Sequence, residues 1–565
     1  MRTRLALWFG VALLGAGLLL AAGCGGDGDE EAGGGTTTAT EGTGTPAAQQ
    51  GGTLRINLQD DTDYTDPALA YYQVSWQFEY VTGVKLLNYP DRPAPEGSRL
   101  IAEGAEDLPV VSEDGKTYTF TIRDGFRFSP PSNEPVTAAA YVRAFERALD
   151  PKQQSPAASF VRDIVGAQEY LDGKADSISG LTAQGNTLTI RLTDVAPDFL
   201  ARVAMPFFMA VPPDTPVDSA GLNTVPAAGP YYVERWTPRR QLVLARNPNY
   251  EGDRVANFDR IVYSVGVDLQ QGLLQIRNGQ ADYAGDGVPP AANGELGDEF
   301  GSDSDAAGEG LQQYFVNPAL VINYLALNTS RDLFGDVKTR QAVNYAIDRT
   351  SILRQSGAFA GTPTDQYLPP LLDGYQDEDI YPFTPDADRA KELLGEGFTG
   401  KAVLYTCNAG SCPERAQIVQ ANLAEIGIDV EIKTFERAVQ FQKEGTRGEP
   451  FDIADEGWIA DYPDPYDFLN ILLDGNNIQA TNNVNFAYFD EEEWNRKMVE
   501  AAKLTGDERY ARYGELDVEM ARDAAPWAAT FVGNNRDFFS KRIGCQVYQP
   551  VYGMSLAPLC IRETE

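Results

Sequence analysis

The chain reads as an α/β protein of more than one lobe, and three observations carry that reading. Residues 401–406 alternate as a strand, Val419, Leu423 and Ile426 recur at helical spacing, and Ile428, Val430 and Ile432 alternate again after Gly427. Strand, helix and strand in that order make a βαβ unit, whose strands lie parallel because the helix crosses between them. Elsewhere, alternating runs are joined by short turns, as in antiparallel hairpins. The 565 residues, 43% of them hydrophobic, show no internal repeat and supply apolar surface for several packed lobes.

The first 52 residues stand apart from that body. Arg2 and Arg4 open a basic segment, an apolar run extends to Leu20, and Ala21, Ala22 and Gly23 lead into Cys24. Residues 1–23 therefore read as an export signal, too short for a comfortable membrane span. Small residues before a Cys resemble a bacterial lipoprotein signal, although Ala21 stands where Leu is usual. The resemblance implies that Cys24 is lipidated and starts the mature chain; an ordinary secretory signal would leave it a free thiol. Residues 24–52 are Gly, Thr, Ala and acid, a composition that cannot bury a core. They are expected to be a disordered tether with a reach on the order of 30 Å.

In the body, Leu54, Ile56 and Leu58 alternate as the first strand, which Asp66-Pro67 follows as a break. Tyr71 and Tyr72 come next, in a polar loop. Tyr118, Phe120 and Ile122 share one face of a strand between two Asp-Gly-containing turns. Thr137 is expected to cap a helix bearing Tyr141, Phe145 and Leu149, ended by Asp150-Pro151. Residues 229–246 read as a hairpin around Thr237-Pro238, and residues 258–265 as a further strand with a short helix after it. Asp336 is expected to cap a helix with Ala342, Val343, Ala346 and Ile347 inward. Trp494, Met498 and Ala501 mark another helix, and residues 525–532 the last apolar strand.

The totals exclude several function classes. A net charge of −36 argues against nucleic acid, whose binding needs basic surface. There is no histidine, which removes Ser-His-Asp and Cys-His catalysis and His-ligated metal sites together. Paired-carboxylate hydrolysis survives. The acidic runs 298–305 and 373–379 lack EF-hand spacing and read as solvated loops, so no metal and no cofactor is expected. Besides Cys24, four cysteines remain: Cys407, Cys412, Cys545 and Cys560. An even number in an exported chain argues for disulfides; of the three connectivities, pairing within Cys407–Cys412 and Cys545–Cys560 closes the shortest loops. A four-Cys zinc site is the rival.

The stretch 457–468 reads Gly-Trp-Ile-Ala-Asp-Tyr-Pro-Asp-Pro-Tyr-Asp-Phe, after an alternating run from Phe451. Gly457 allows close backbone approach, and Pro463 and Pro465 pin a turn. The turn displays aromatic faces beside carboxylates, a setting that suits an organic ammonium group. As the next strand of the βαβ sheet, the run would deliver Asp461 to the carboxyl end, where ligands collect in open α/β sheets. A plainer reading makes Trp458 core and Asp461 or Asp464 a cap.

This stretch resembles the cleft segment of the family 5 extracellular solute-binding proteins, the oligopeptide- and dipeptide-binding group of ABC importers. The blocks at 114–149, 229–250 and 258–282 resemble that family too, in order, so the likeness covers nearly all of residues 53–565. It implies a periplasmic-binding-protein-like α/β fold of the large, peptide-binding type, with two main lobes, a hinge and an extra subdomain. Lobe I would comprise residues 53–87, 223–321 and 528–565, the inserted subdomain 88–222, and the other lobe 322–527. The resemblance implies that Asp461 pairs with a peptide's α-ammonium group and that Trp458 and Tyr462 wall the cleft. Tyr71 and Tyr72 would face it from the opposite wall. Also implied are a monomer without catalytic activity, ABC permease subunits with their ATPase as partners, and a place outside the cytoplasm on the lipid at Cys24. Within the same fold, an oligosaccharide, an opine-like amine or another small solute could be the ligand. A secreted hydrolase pairing Asp461 with Asp464 is the alternative from another class.

Overall fold

The computed structural model describes residues 50–562. The export signal, Cys24 and nearly all of the expected tether lie outside them. Among the described residues, no helix is long and apolar enough to cross a membrane.

Three sheets organise the chain. The first has five strands in the order Tyr283–Ala284, Thr53–Leu58, Arg260–Val265, Gln241–Arg246, Tyr231–Thr237. Its opening strand runs parallel to both neighbours, whereas the hairpin around Thr237-Pro238 is antiparallel. The second is a four-stranded antiparallel sheet, Val110–Val111, Thr117–Thr121, Thr187–Arg191, Leu181–Gln184. One hydrophobic core runs through both: Leu54, Ile56, Tyr118, Phe120, Ile122, Tyr141 and Phe145 all belong to it. Phe145, fully buried, contributes roughly 1.5–3 kcal/mol on the transfer scale.

Helix Ala138–Leu149 buries Ala140, Tyr141, Ala144, Phe145, Ala148 and Leu149, an apolar stripe at helical spacing. Thr137 sits at its N-cap position, but its side chain makes no capping bond. The expected cap is positional only. The helix also supplies Arg147, whose guanidinium grips the buried Asp66 carboxylate at 2.9 and 2.7 Å. The Asp66-Pro67 break is thus an anchored turn, because a buried carboxylate needs a paired donor.

The third sheet has six strands: Gly361–Pro363, Trp527–Phe538, Tyr314–Leu327, Ile453–Ile459, Gly400–Cys407, Ile428–Phe435. The expected βαβ unit is there, with Gly400–Cys407 parallel to Ile428–Phe435 across helix Cys412–Glu425. Gly427 takes φ +87°, which ends the helix in the left-handed region that glycine tolerates. Asp336 does cap its helix, accepting from the Lys338 N–H. Separate cores pack on this sheet, one holding Tyr324, Phe468 and Trp527 and the other Leu327, Val343 and Leu404.

Two long strands join the lobes. Tyr314–Leu327 and Trp527–Phe538 pair antiparallel along their length, with a register break between Pro318 and Ile322. One end of this ribbon lies in the six-stranded sheet; at the other, Phe539 bridges Tyr283 of the five-stranded sheet. Both short-range disulfides are present, Cys407–Cys412 and Cys545–Cys560, each with Cα atoms 5.5 Å apart. The acidic run 298–305 differs from expectation: it straddles helices Asn293–Phe300 and Asp305–Gly308. Leu296 is buried beneath the first of these, so the acids form its solvated face.

Candidate functional site

The site grows from the end of strand Ile453–Ile459. That strand pairs antiparallel with Tyr314–Leu327, placing Gly457 opposite Asn323. A Cβ on Gly457 would lie 3.2 Å from the Asn323 side-chain oxygen and 3.3 Å from the Ile322 carbonyl, so glycine allows the close approach. The chain then turns through residues 460–465 into helix Tyr466–Leu473.

Within this turn, the two carboxylates weighed from sequence have separate fates. Asp464 accepts from the Tyr466 N–H at 2.8 Å and receives both terminal nitrogens of Arg509 at 2.7 Å. Asp461 points across the molecule, where its Oδ2 accepts the Tyr71 hydroxyl at 2.8 Å. Tyr71 follows the first strand of the five-stranded sheet, so this bond spans the two lobes. Its main chain is fixed by Asp63, which accepts from the N–H groups of Tyr71 and Tyr72 at 2.7 and 3.1 Å. Its ring leans on Trp76 and Phe207, with centroids 5.7 and 5.6 Å away.

Asp461 is buried, and burial pushes its carboxyl group up to about 7, against the pull of the Tyr71 hydrogen bond. Tyr71 keeps 36% of its surface exposed, but its hydroxyl end is desolvated against Asp461, and that desolvation with the facing carboxylate raises it well above an ordinary phenol. A carboxylate so enclosed has lost water and has gained a hydroxyl but no cation.

The other sequence-selected residues take different places. Trp458 is half-buried against the core of the six-stranded sheet and donates its indole N–H to Asp467 at 3.0 Å. Tyr462 does not line a wall. It is fully buried in the core shared by the five- and four-stranded sheets, and its hydroxyl donates to Asp198 at 3.0 Å. A Tyr between two Asp-bearing positions in a turn gave no sign of a partner 264 residues away. Tyr72 is 55% exposed at the start of helix Gln73–Thr82. Burial and the negative charges of Asp63 and, from the opposite lobe, Glu436 raise its pKa.

Sequence reasoning missed Asp467, Phe207 and Asp198, and also a buried pair, Glu444 and Glu456. Gln440 donates to both of these acids at 3.0 and 2.7 Å, and burial raises both of their pKa values. Asp467 left one trace, an acid in the first turn of a mostly apolar helix. Among the described residues, no cluster of three or more His, Cys, Asp or Glu could hold a metal ion.

The bacterial extracellular solute-binding proteins, family 5 Middle, match residues 99–480, more than half of the chain. The chain belongs to that family. Among similar family-5 relatives, the periplasmic oligopeptide-binding protein OppA of Escherichia coli is 24% identical over 75% of this chain and 80% of its own. Heme-binding protein A of Haemophilus influenzae is 29% identical over 76% of this chain and 79% of its own. Among solved structures, clavulanic acid biosynthesis oligopeptide binding protein 2 superimposes with a TM-score of 0.81 at 24% identity, covering 92% of this chain and 97% of that one. The fold is thus the periplasmic peptide-binding one.

Proposed function

We propose that this family-5 protein is the substrate-binding subunit of an ABC importer, without catalytic activity, and that it captures peptides bearing a free amino terminus. One observation carries the reading: Asp461 is a buried carboxylate between lobes whose only bonded partner across the cleft, among the described residues, is a neutral phenol. An arriving ammonium group would supply the missing countercharge, and the partly exposed ring of Tyr71, backed by the buried Trp76 and Phe207, would flank apolar bulk behind it. Trp458 would border the same corner, and Tyr72 the rim. The names of relatives that bind oligopeptides support this class of ligand.

The remaining parts follow from the same reading. The lobes would carry the boundaries 53–87 with 223–321 and 528–565, 88–222, and 322–527. Cys24 would carry lipid, holding a monomer outside the cytoplasm beside its permease and ATPase. Hydrolysis by Asp461 with Asp464 is disfavoured, because both oxygens of Asp464 are committed to Arg509 and a general base needs a free one.

Calorimetry with tetra-alanine and its N-acetylated form tests the proposal. Free-amine peptide should bind with the acetylated form at least tenfold weaker, and Asp461→Asn should erase most of that difference. Truncating one member of such a pair costs about 2–5 kcal/mol. Equal affinity of the wild type for both peptides, or tight binding of hemin and of neither peptide, would overturn the reading.

A further inference from the structure

The helix that follows the Asp461 turn holds, in its first turn, an acid that the proposed function leaves unused. Asp467 has no exposed surface. Its Oδ2 accepts from the Trp458 indole N–H at 3.0 Å and from the Asp461 backbone N–H at 2.9 Å. Its Oδ1 is buried without a partner. The titratable groups around it are Asp461, Tyr462 and Asp464 of the preceding turn, and Tyr71 and Tyr89 from the facing lobe. The neighbouring helix Gly506–Glu519 carries Arg509, whose two terminal nitrogens both go to Asp464, and Arg512, which pairs with Glu515 and Glu519 instead. Behind Tyr462, Arg202 pairs with Asp163 and Asp198. Three buried acids therefore share one guanidinium, that of Arg509, which is committed to Asp464.

Resting on the peptide-binding reading above, we propose that Asp467 is a positioning residue that works as a neutral acid. One of its oxygens fixes Trp458 and the main chain of Asp461, and its retained proton leaves Asp461 as the sole anion offered to a ligand's ammonium group. Electrostatics agree with the geometry: burial and the adjacent Asp461 carboxylate push Asp467 well above the carboxylate range, while Asp461 titrates near neutrality. A single anion suits a head group with a single positive charge. When that head binds below about pH 7, the proton displaced from Asp461 passes to solvent and the ammonium keeps its own three.

Two variants of the full chain, Asp467→Asn and Asp467→Leu, test this with free-amine tetra-alanine as the probe. Asn keeps an acceptor oxygen without the charge, so it should bind within threefold of wild type at pH 8 with the same pH midpoint. Leu keeps bulk but no acceptor, and should bind at least tenfold more weakly. Infrared difference spectra of wild type minus Asp467→Asn at pH 8 supply a readout independent of ligand. They should show the carbonyl stretch of a protonated carboxyl group. Carboxylate bands in its place, or a tenfold loss or a shifted midpoint in the Asn variant, would overturn the proposal. A wild type that ignores the probe would overturn the peptide reading instead, and the infrared result would still decide the state of Asp467.

Discussion

Two aspartates three residues apart, Asp461 and Asp464, show how little a side chain's role follows from its type. Asp464 lies under Arg509, which holds it in the bidentate geometry that makes such pairs strong. Asp461 has a phenol and no cation. Arg509→Met should therefore strand a buried charge on Asp464 and cost about 3–5 kcal/mol of stability. Urea unfolding checks this, and a loss below about 1 kcal/mol would mean that Asp464 takes up a proton and the pair contributes little. The turn role of Asp464 was legible in the sequence, since an acid beside two prolines before an apolar helix is a capping pattern. Its partner was not, because Arg509 lies 45 residues on in a helix with no visible tie to the turn. Tyr71 and Asp461 are 390 residues apart; only the likeness to family 5 put them on facing walls, and neither residue's local pattern says that their side chains meet.

At the level of strands and helices, periodicity carried most of the information. The βαβ unit, the hairpin at Thr237-Pro238 and the strand–turn–helix around Tyr118–Leu149 were legible because each element's apolar face is written within about ten residues. Elements whose form depends on a distant neighbour were not. Strand Gly361–Pro363 is three residues long and exists because it pairs with Trp527–Phe538, placing Gly361 opposite Gly533. A Cβ on Gly361 would lie 1.9 Å from the Val532 carbonyl oxygen, with φ at +155°. Gly361→Ala should thus displace this edge strand and cost about 1–3 kcal/mol. Differential scanning calorimetry provides the test, with an unchanged melting temperature as the contrary result. The pairing sits beside the register break at Pro318–Ile322 in the ribbon joining the lobes. A break of this kind bends a strand and raises its local twist.

For the molecule as a whole, the Tyr71–Asp461 contact between the lobes would make closure depend on pH in a direction that can be worked out. In an open form Asp461 would face water and titrate in the ordinary carboxylate range; closed, it titrates at about 7. Its pKa is raised by closure, so the closed form binds the proton more tightly. Empty-protein closure is then easiest below the ordinary range, and progressively harder as pH rises from there towards 7. Each unit of difference is worth about 1.4 kcal/mol, a factor of ten in the closed population. Above pH 7 the empty molecule must bury a bare charge to close, and the penalty stops growing. A cationic ligand reverses the order, because it needs Asp461 ionised and supplies the countercharge that the phenol of Tyr71 lacks. Small-angle scattering should therefore show a larger radius of gyration for the empty protein at pH 8 than at pH 5.5. Saturation with free-amine peptide should produce its greatest contraction at pH 8. Asp461→Asn, neutral at every pH, should flatten both trends. A wild-type radius independent of pH in the empty state would mean that Asp461 remains solvated when the lobes meet, and a ligand-induced contraction greater at pH 5.5 than at pH 8 would mean that some other group receives the charge.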